Sequence, residues 1–223
     1  SANVSHELKT PITSMKVLAD SLISQENVPI ELYKEFMTDI AEEIERENKI
    51  ITDLLSLVKM DKTSANLNIE NRNLNELIEL ILKRLRPIAK QRNIDVLYES
   101  AREVFAEIDE VKLTLAISNL VENAIKYNKE YGYVKVSLDA DHQFATIMVE
   151  DNGIGIPEEA QEHIFERFYR VDKSHSREIG GTGLGLAIAR NAILLHRGSI
   201  KIDSEEGQGT VFTVKIPIIY VSK

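Results

Sequence analysis

The spacing of apolar residues changes once along this chain, and the change divides it. Up to Asp61 they recur at steps of four and three: Leu8, Ile12, Met15, Ala19 and Leu22, then Tyr33, Met37, Ile40, Ile44, Ile51, Leu54 and Val58, a series broken only at Glu47. That period is the seam of packed helices. Beyond Ile94, runs such as Ile94–Tyr98 and Val104–Ile108 alternate by twos, as half-buried strands do. The turn Glu26-Asn27-Val28-Pro29 separates a first helix (about 3–25) from a second (about 30–61), with Pro29 suited to the first turn of a new helix. The polar run from Lys62 to Asn66 marks the boundary. The reading is a helical domain over 1–62, a linker over 63–66 and a mixed domain over 67–223.

Two helices joined by a short turn form an antiparallel hairpin with one apolar stripe per helix. A lone hairpin cannot cover both stripes, so two copies are expected to pair as a homodimer, a four-helix bundle. In the mixed region the pattern predicts a helix from about Leu74 to Asn93. A second helix, capped by Asp109, reaches about Asn128, and a third begins near Gly183. Further strands are predicted at 133–138, 145–150, 199–203 and 210–216. Strands in hairpins with helices set apart give an α+β fold: an α/β sandwich with helices on one face of a mostly antiparallel sheet.

Composition excludes several roles. The net charge of −9 argues against nucleic acid or an anionic membrane as the main partner. With no cysteine there is neither a disulfide framework nor a thiolate metal site. No run reaches the length of a membrane span. The chain opens inside a helical pattern, so it reads as a piece of a longer protein, with any membrane segment upstream.

At about 100° per residue, His6 points away from the first seam, with Glu7, Lys9, Thr10 and Thr13 on the same wet side. Pro11 deprives the carbonyl of Glu7 of its helical donor, which predicts a bend after His6. All ten glycines lie beyond residue 131. Gly153 and Gly155 follow an apolar strand in Asp151-Asn152-Gly153-Ile154-Gly155. Gly181-Thr182-Gly183-Leu184-Gly185 leads into a helix whose free N–H groups can meet a phosphate. Asn119, Asn123, Lys126 and Tyr127 share one helix face, where amide oxygens can hold a hard cation and an ammonium can meet phosphate. The stretch between the glycine groups, Phe165 to Arg170 and then 171–179, suits a lid hinged on aromatic anchors.

These motifs, in this order, resemble the cytoplasmic core of a two-component sensor histidine kinase over nearly the whole chain. Ser5-His6-Glu7-Leu8-Lys9-Thr10-Pro11 resembles the phosphoacceptor box, Asn119–Tyr127 the N box and Asp151–Gly155 the first glycine box. Phe165–Arg170 resembles the F box and Gly181–Gly185 the second glycine box, with Gly207-Gln208-Gly209-Thr210 a further glycine element. The resemblance implies a GHKL-type ATP-binding domain and ATP-dependent phosphorylation of His6. It implies Glu7 as base or orienter of the imidazole and Thr10 as the residue aligning water for phosphatase activity. Asn123, with Asn119, would ligate Mg²⁺. Lys126 and Tyr127 would contact phosphates, Asp151 the adenine amino group, and Arg170 the transferring phosphoryl group. The nucleotide would rest against Gly153, Gly155, Gly181, Thr182, Gly183, Leu184 and Gly185. The implied partners are a second copy and the receiver domain of a response regulator. The implied location is the cytoplasmic side of the bacterial inner membrane. Arg197 stands where the family often has glycine, and little functional effect is expected of it.

Two rivals differ in what they require. An ATP hydrolase of the same superfamily needs a glutamate four residues before the magnesium asparagine, and this chain has Asn119 there. A non-catalytic ATP-binding dimeric scaffold needs no phosphoacceptor, and here every position the chemistry requires is filled.

Overall fold

The computed structural model describes residues 2–62, 66–172 and 180–222. Most of the expected linker (63–65) and much of the expected lid (173–179) lie outside them. The chain divides into two compact units, Ser1–Ser56 and Leu57–Lys223. Among the described residues no helix is long and apolar enough to cross a membrane.

Helices α1 (Ala2–Ile23) and α2 (Ile30–Lys62) dominate the first unit. Pro29 stands just before α2, and its carbonyl accepts the N–H groups of Leu32 and Tyr33 at 3.1 and 3.2 Å. In α2 the expected single seam is two stripes. Ile50 is 1% exposed and Ile40 and Leu54 are half-buried, whereas Tyr33, Met37, Ile44 and Ile51 are 42–55% exposed. Heptad spacing alone cannot tell Ile40 and Leu54 from Met37, Ile44 and Ile51, because the members of each set are separated by multiples of seven.

The second unit is the expected sandwich. Its elements are β1 (Ile69–Asn73), α3 (Leu74–Gln91), β2 (Asp95–Ser100), β3 (Phe105–Asp109), α4 (Glu110–Lys126), β4 (Tyr133–Ala140), β5 (Phe144–Asp151), the short α5 (Glu158–Gln161), α6 (Gly185–Leu195), β6 (Ser199–Glu205) and β7 (Gly209–Pro217). The main sheet has the order β2-β4-β5-β7-β6, antiparallel except for the parallel pair β2–β4. Strand β1, which the sequence reading missed, pairs antiparallel with β3 in a separate ribbon. Strands β2 and β3 therefore do not form the hairpin their adjacency suggested. Alternation reports which face a strand buries, not which neighbour it takes.

The core lies between one sheet face and the helices. Val134, Val136, Ile147, Val149, Phe212 and Val214 alternate inward along β4, β5 and β7. They meet the apolar faces of α4 (Leu113, Ile117, Leu120, Val121) and α6 (Ile188, Ala192, Ile193). Asp109 caps α4 as expected, accepting the Lys112 N–H at 3.0 Å, and its other oxygen accepts the Asn68 N–H at 3.0 Å. Burial alone would raise this carboxyl, but those N–H groups and the Lys112 ammonium outweigh it and hold the pKa below the usual range.

His196, 1% exposed at the end of α6, secures the same corner. Its Nδ1 lies 2.7 Å from the Ala192 carbonyl, and its Nε2 accepts the Asp109 N–H at 3.0 Å. That pairing requires the neutral ring protonated on Nδ1, and burial lowers the imidazole pKa accordingly.

Candidate functional site

Helix α4 sets the first wall of the site because its other face is fully buried in the core. Asn119, Asn123, Lys126 and Tyr127 emerge half-buried on the remaining side, as their spacing predicted. The Asn119 amide nitrogen donates to the Leu115 carbonyl at 2.9 Å, which leaves its oxygen turned outward toward the start of α6. A side chain at Gly185 would place its Cβ 2.7 Å from that oxygen. Glycine at 185 therefore lets α6 begin against the amide face of α4.

The second wall is the turn after β5. Asp151 is only 8% exposed, and its Oδ1 accepts the Gly153 N–H at 2.9 Å. Burial pushes its carboxyl up to about 6, although the N–H groups of Gly153 and Thr210 pull the other way. Gly153 has no room for a side chain, since a Cβ would stand 2.2 Å from the Tyr127 carbonyl. That same carbonyl accepts the Ile154 N–H at 3.1 Å. Gly155 adopts φ 68 beside the Glu205 carbonyl, a left-handed conformation that favours glycine.

The third wall joins the F box to the second glycine box. The Phe168 N–H donates to the Gly183 carbonyl at 2.8 Å, and the Arg170 guanidinium donates to the Gly181 carbonyl. Thr182 is buried, and its hydroxyl accepts the Leu184 N–H at 3.2 Å. Among the described residues helix α6 then starts at Gly185 with no side-chain cap hydrogen bond at Leu184, and a helix start of this kind can receive an anion. Among the described residues nothing lies within 4 Å of a Cβ placed on Gly181.

The sequence reading gave no role to the support beneath Asp151. The Ser204 hydroxyl lies 2.8 Å from the Thr210 hydroxyl and 3.0 Å from the Gly209 carbonyl, and it accepts the Ile156 N–H at 2.8 Å. Gly209, at φ 133, passes so close that a Cβ would stand 2.1 Å from the Asp151 carbonyl. Gly207-Gln208-Gly209-Thr210 was the available signal, and only the pairing of Asp151 with Thr210 explains it.

The phosphoacceptor candidates sit in the first unit. His6 is exposed on α1, with Glu7 and Thr10 half-buried beside it and Pro11 buried. The Thr10 hydroxyl donates to the His6 carbonyl at 3.0 Å. The turn that loses one donor to Pro11 thereby gains another one residue earlier.

Comparisons with known proteins match both units. The model described as "His Kinase A (phospho-acceptor) domain" matches residues 1–63, and that described as "Histidine kinase-, DNA gyrase B-, and HSP90-like ATPase" matches 108–219. The sensor histidine kinase WalK of Bacillus subtilis is 38% identical over 219 residues, 97% of this chain but 36% of that protein. The sensor protein kinase WalK of Staphylococcus saprophyticus is 41% identical over 218 residues, with the same coverage of 97% and 36%. The chain thus spans about a third of these relatives. Among solved structures, the histidine kinase ThkA in complex with the response regulator TrrA aligns with a TM-score of 0.77 at 28% identity, over 97% of this chain and 60% of that one. The Acinetobacter baumannii histidine kinase AdeS shares the fold with a TM-score of 0.76 at 24% identity, over 96% and 98% of the two chains.

Asp151 carries the sharpest test of the site. A carboxyl raised by burial favours the folded state when protonated, so that stability is full below pH 3.8 and lost as pH rises through about 6. Asp151→Asn, which stays neutral, is expected to stabilise the protein at pH 7.5 by about 1–2 kcal/mol, discounted for partial solvation. Under the adenine contact that the resemblance implies for Asp151, it should also abolish ATP binding. Urea unfolding at pH 7.5 and pH 5 checks the first expectation, since the gap between the proteins should narrow at pH 5; calorimetric titration with ATP checks the second.

Proposed function

Because the chain belongs to the sensor histidine kinases, joining a phospho-acceptor domain to an ATPase domain of the histidine kinase, gyrase B and HSP90 type, we propose that it transfers the γ-phosphoryl group of ATP to His6. The domains are assigned as 1–62 and 67–223, joined by 63–66. The observation that carries this reading is that one chain holds both an exposed histidine on α1 and, in its other unit, a glycine-lined site around a buried carboxylate.

A neutral ring nitrogen of His6 attacks phosphorus, forming an N–P bond as the bond from phosphorus to the ADP oxygen breaks. Glu7 orients the imidazole and takes up the proton its ring releases. Asp151 accepts a hydrogen bond from the adenine amino group. Gly153 and Gly155 let the backbone lie close to the base, and Gly181, Thr182, Gly183, Leu184 and Gly185 lead the phosphates to the start of α6. Lys126 and Tyr127 contact those phosphates, and Arg170 offsets charge as it shifts to the leaving oxygen. Asn123 and Asn119 would hold Mg²⁺ through their amide oxygens. The ion would neutralise phosphate charge and orient the phosphates. The donor set suits a hard cation that keeps some of its waters. No cluster of three acidic, histidine or cysteine side chains that could hold a metal competes for it among the described residues.

A hydrolytic role is disfavoured by Asn119. A neutral amide, with its nitrogen engaged by Leu115, cannot take a proton from water, so the phosphoryl group is kept for an imidazole. The phosphoryl group then passes to an aspartate of a response regulator. Thr10 serves the reverse reaction by aligning water at the phosphorylated regulator. The parent protein is proposed to be anchored in the bacterial inner membrane, with these domains in the cytoplasm.

Incubation with γ-labelled ATP and Mg²⁺ should give acid-labile label on the protein that His6→Ala removes; label surviving that change would place the acceptor elsewhere. With the cognate regulator, Thr10→Ala is expected to leave autophosphorylation within about twofold and slow dephosphorylation by at least about tenfold, about 1.4 kcal/mol in the barrier. The stripe Tyr33, Met37, Ile44 and Ile51 is proposed to be covered by a second copy. Light scattering at micromolar concentration should give the mass of a dimer, and Ile44→Glu with Ile51→Glu the mass of a monomer.

A further inference from the structure

Outside the nucleotide site, a groove of about 420 Å³ opens on the main sheet. It lies on the face opposite the buried Phe212, Val214 and Ile216. Its walls include Arg197, Ser199, Lys201, Thr213, Lys215 and Phe144. Strand register sets Ser199 beside Lys215 and Lys201 beside Thr213. Three cations of a chain with net charge −9 thus converge on a space the size of a small-molecule site. The nearby Asp141, whose Oδ1 accepts the N–H groups of Gln143 and Phe144 at 2.7 Å each, is also favoured as a carboxylate by the charge of Lys215 and so offsets part of this positive field. Farther along β6, Asp203 and Glu205 are exposed on the same face and would repel a long polyanion.

The backbone supplies an independent observation. Helix α6 closes with paired bonds, Gly198 N–H to the Ile193 carbonyl and Arg197 N–H to the Leu194 carbonyl, both 3.0 Å. This closure needs a left-handed residue at 197, where φ is 62. Helix α3 closes with the same pair of bonds, from Ile94 and Asn93, and uses Asn93 at φ 54. Glycine or asparagine is what this geometry favours, and arginine is strained in it. Strain kept at a residue whose side chain lines a groove points to a use for that side chain.

We propose that this groove binds a compact, multiply charged phosphate, either inorganic or the ester of a small organic molecule. The Arg197 guanidinium pairs with two phosphate oxygens, Lys201 and Lys215 act as point charges, and the hydroxyls of Ser199 and Thr213 donate. Phe144 offers an apolar wall to the organic part of an ester.

The test is a nuclear magnetic resonance titration of protein saturated with ADP and Mg²⁺, at constant ionic strength, with inorganic pyrophosphate and with glycerol 3-phosphate. Saturable shifts are expected at the amides of 199–201 and 213–215, with affinity falling at least about tenfold in Arg197→Gly and in Lys201→Ala with Lys215→Ala. Tighter pyrophosphate binding identifies an inorganic ligand; tighter glycerol 3-phosphate binding identifies an ester. Arg197→Gly should also raise the melting temperature, by about 2–4 °C, because strain is relieved. A merely structural arginine would instead give a lower melting temperature and an unchanged titration. The proposal is overturned by no saturable shift at millimolar ligand, by unchanged affinity in both variants, or by a hexaglutamate peptide binding in preference to both phosphates.

Discussion

The hydrogen bond from the Ile154 N–H to the Tyr127 carbonyl, 3.1 Å long, is the constraint on which the nucleotide site depends. It forces the chain leaving β5 to pass against the end of α4, so closely that residue 153 cannot carry a side chain. The position of Asp151 follows, because its carboxylate holds the Gly153 N–H. On the far side, Gly155 and Gly207 bring the β6–β7 turn to the same loop, with the Gly207 N–H donating to the Ile154 carbonyl at 2.7 Å. A helix fixed by its buried face therefore fixes a loop, and the loop fixes a carboxylate. Rigid elements hold the site, and loops only finish it.

In the proposed function, Asn119 gives the site its chemical direction. The gyrase B, HSP90 and histidine kinase ATPases share one family description, and a glycine-lined pocket alone cannot separate transfer to water from transfer to a side chain. The difference lies in whether a base stands beside the phosphate. Here the position carries an amide whose nitrogen is tied into its own helix. On the proposed reading, such a site positions and neutralises charge and does not deprotonate water.

Much of this was legible in the sequence, for reasons that can be named. Asp109 stands just before a periodic apolar run, which is what a cap requires. Strands β4, β5 and β7 alternate cleanly because one face is buried and the other solvated. Strand β1 carried no such signal, since Ile69-Glu70-Asn71-Arg72-Asn73 contains one apolar residue and takes its shape from β3. The parallel pairing of β2 with β4 was equally hidden. In α2 both stripes keep the same period, so the choice of covered stripe had to come from the fold. At the site, the motif residues themselves could be read, but Ser204 beneath Asp151 could not, because a register between distant strands brings them together.

In the role proposed for Asp151, its raised carboxyl makes nucleotide capture a proton-linked event. A donor such as an exocyclic amine needs the ionised carboxylate, which carries a proton over much of the range below about pH 6. Under those conditions each binding event must release a proton, and affinity declines by up to about tenfold per pH unit. The residue proposed to recognise a base would thus also tie the occupancy of the site to the acidity around it.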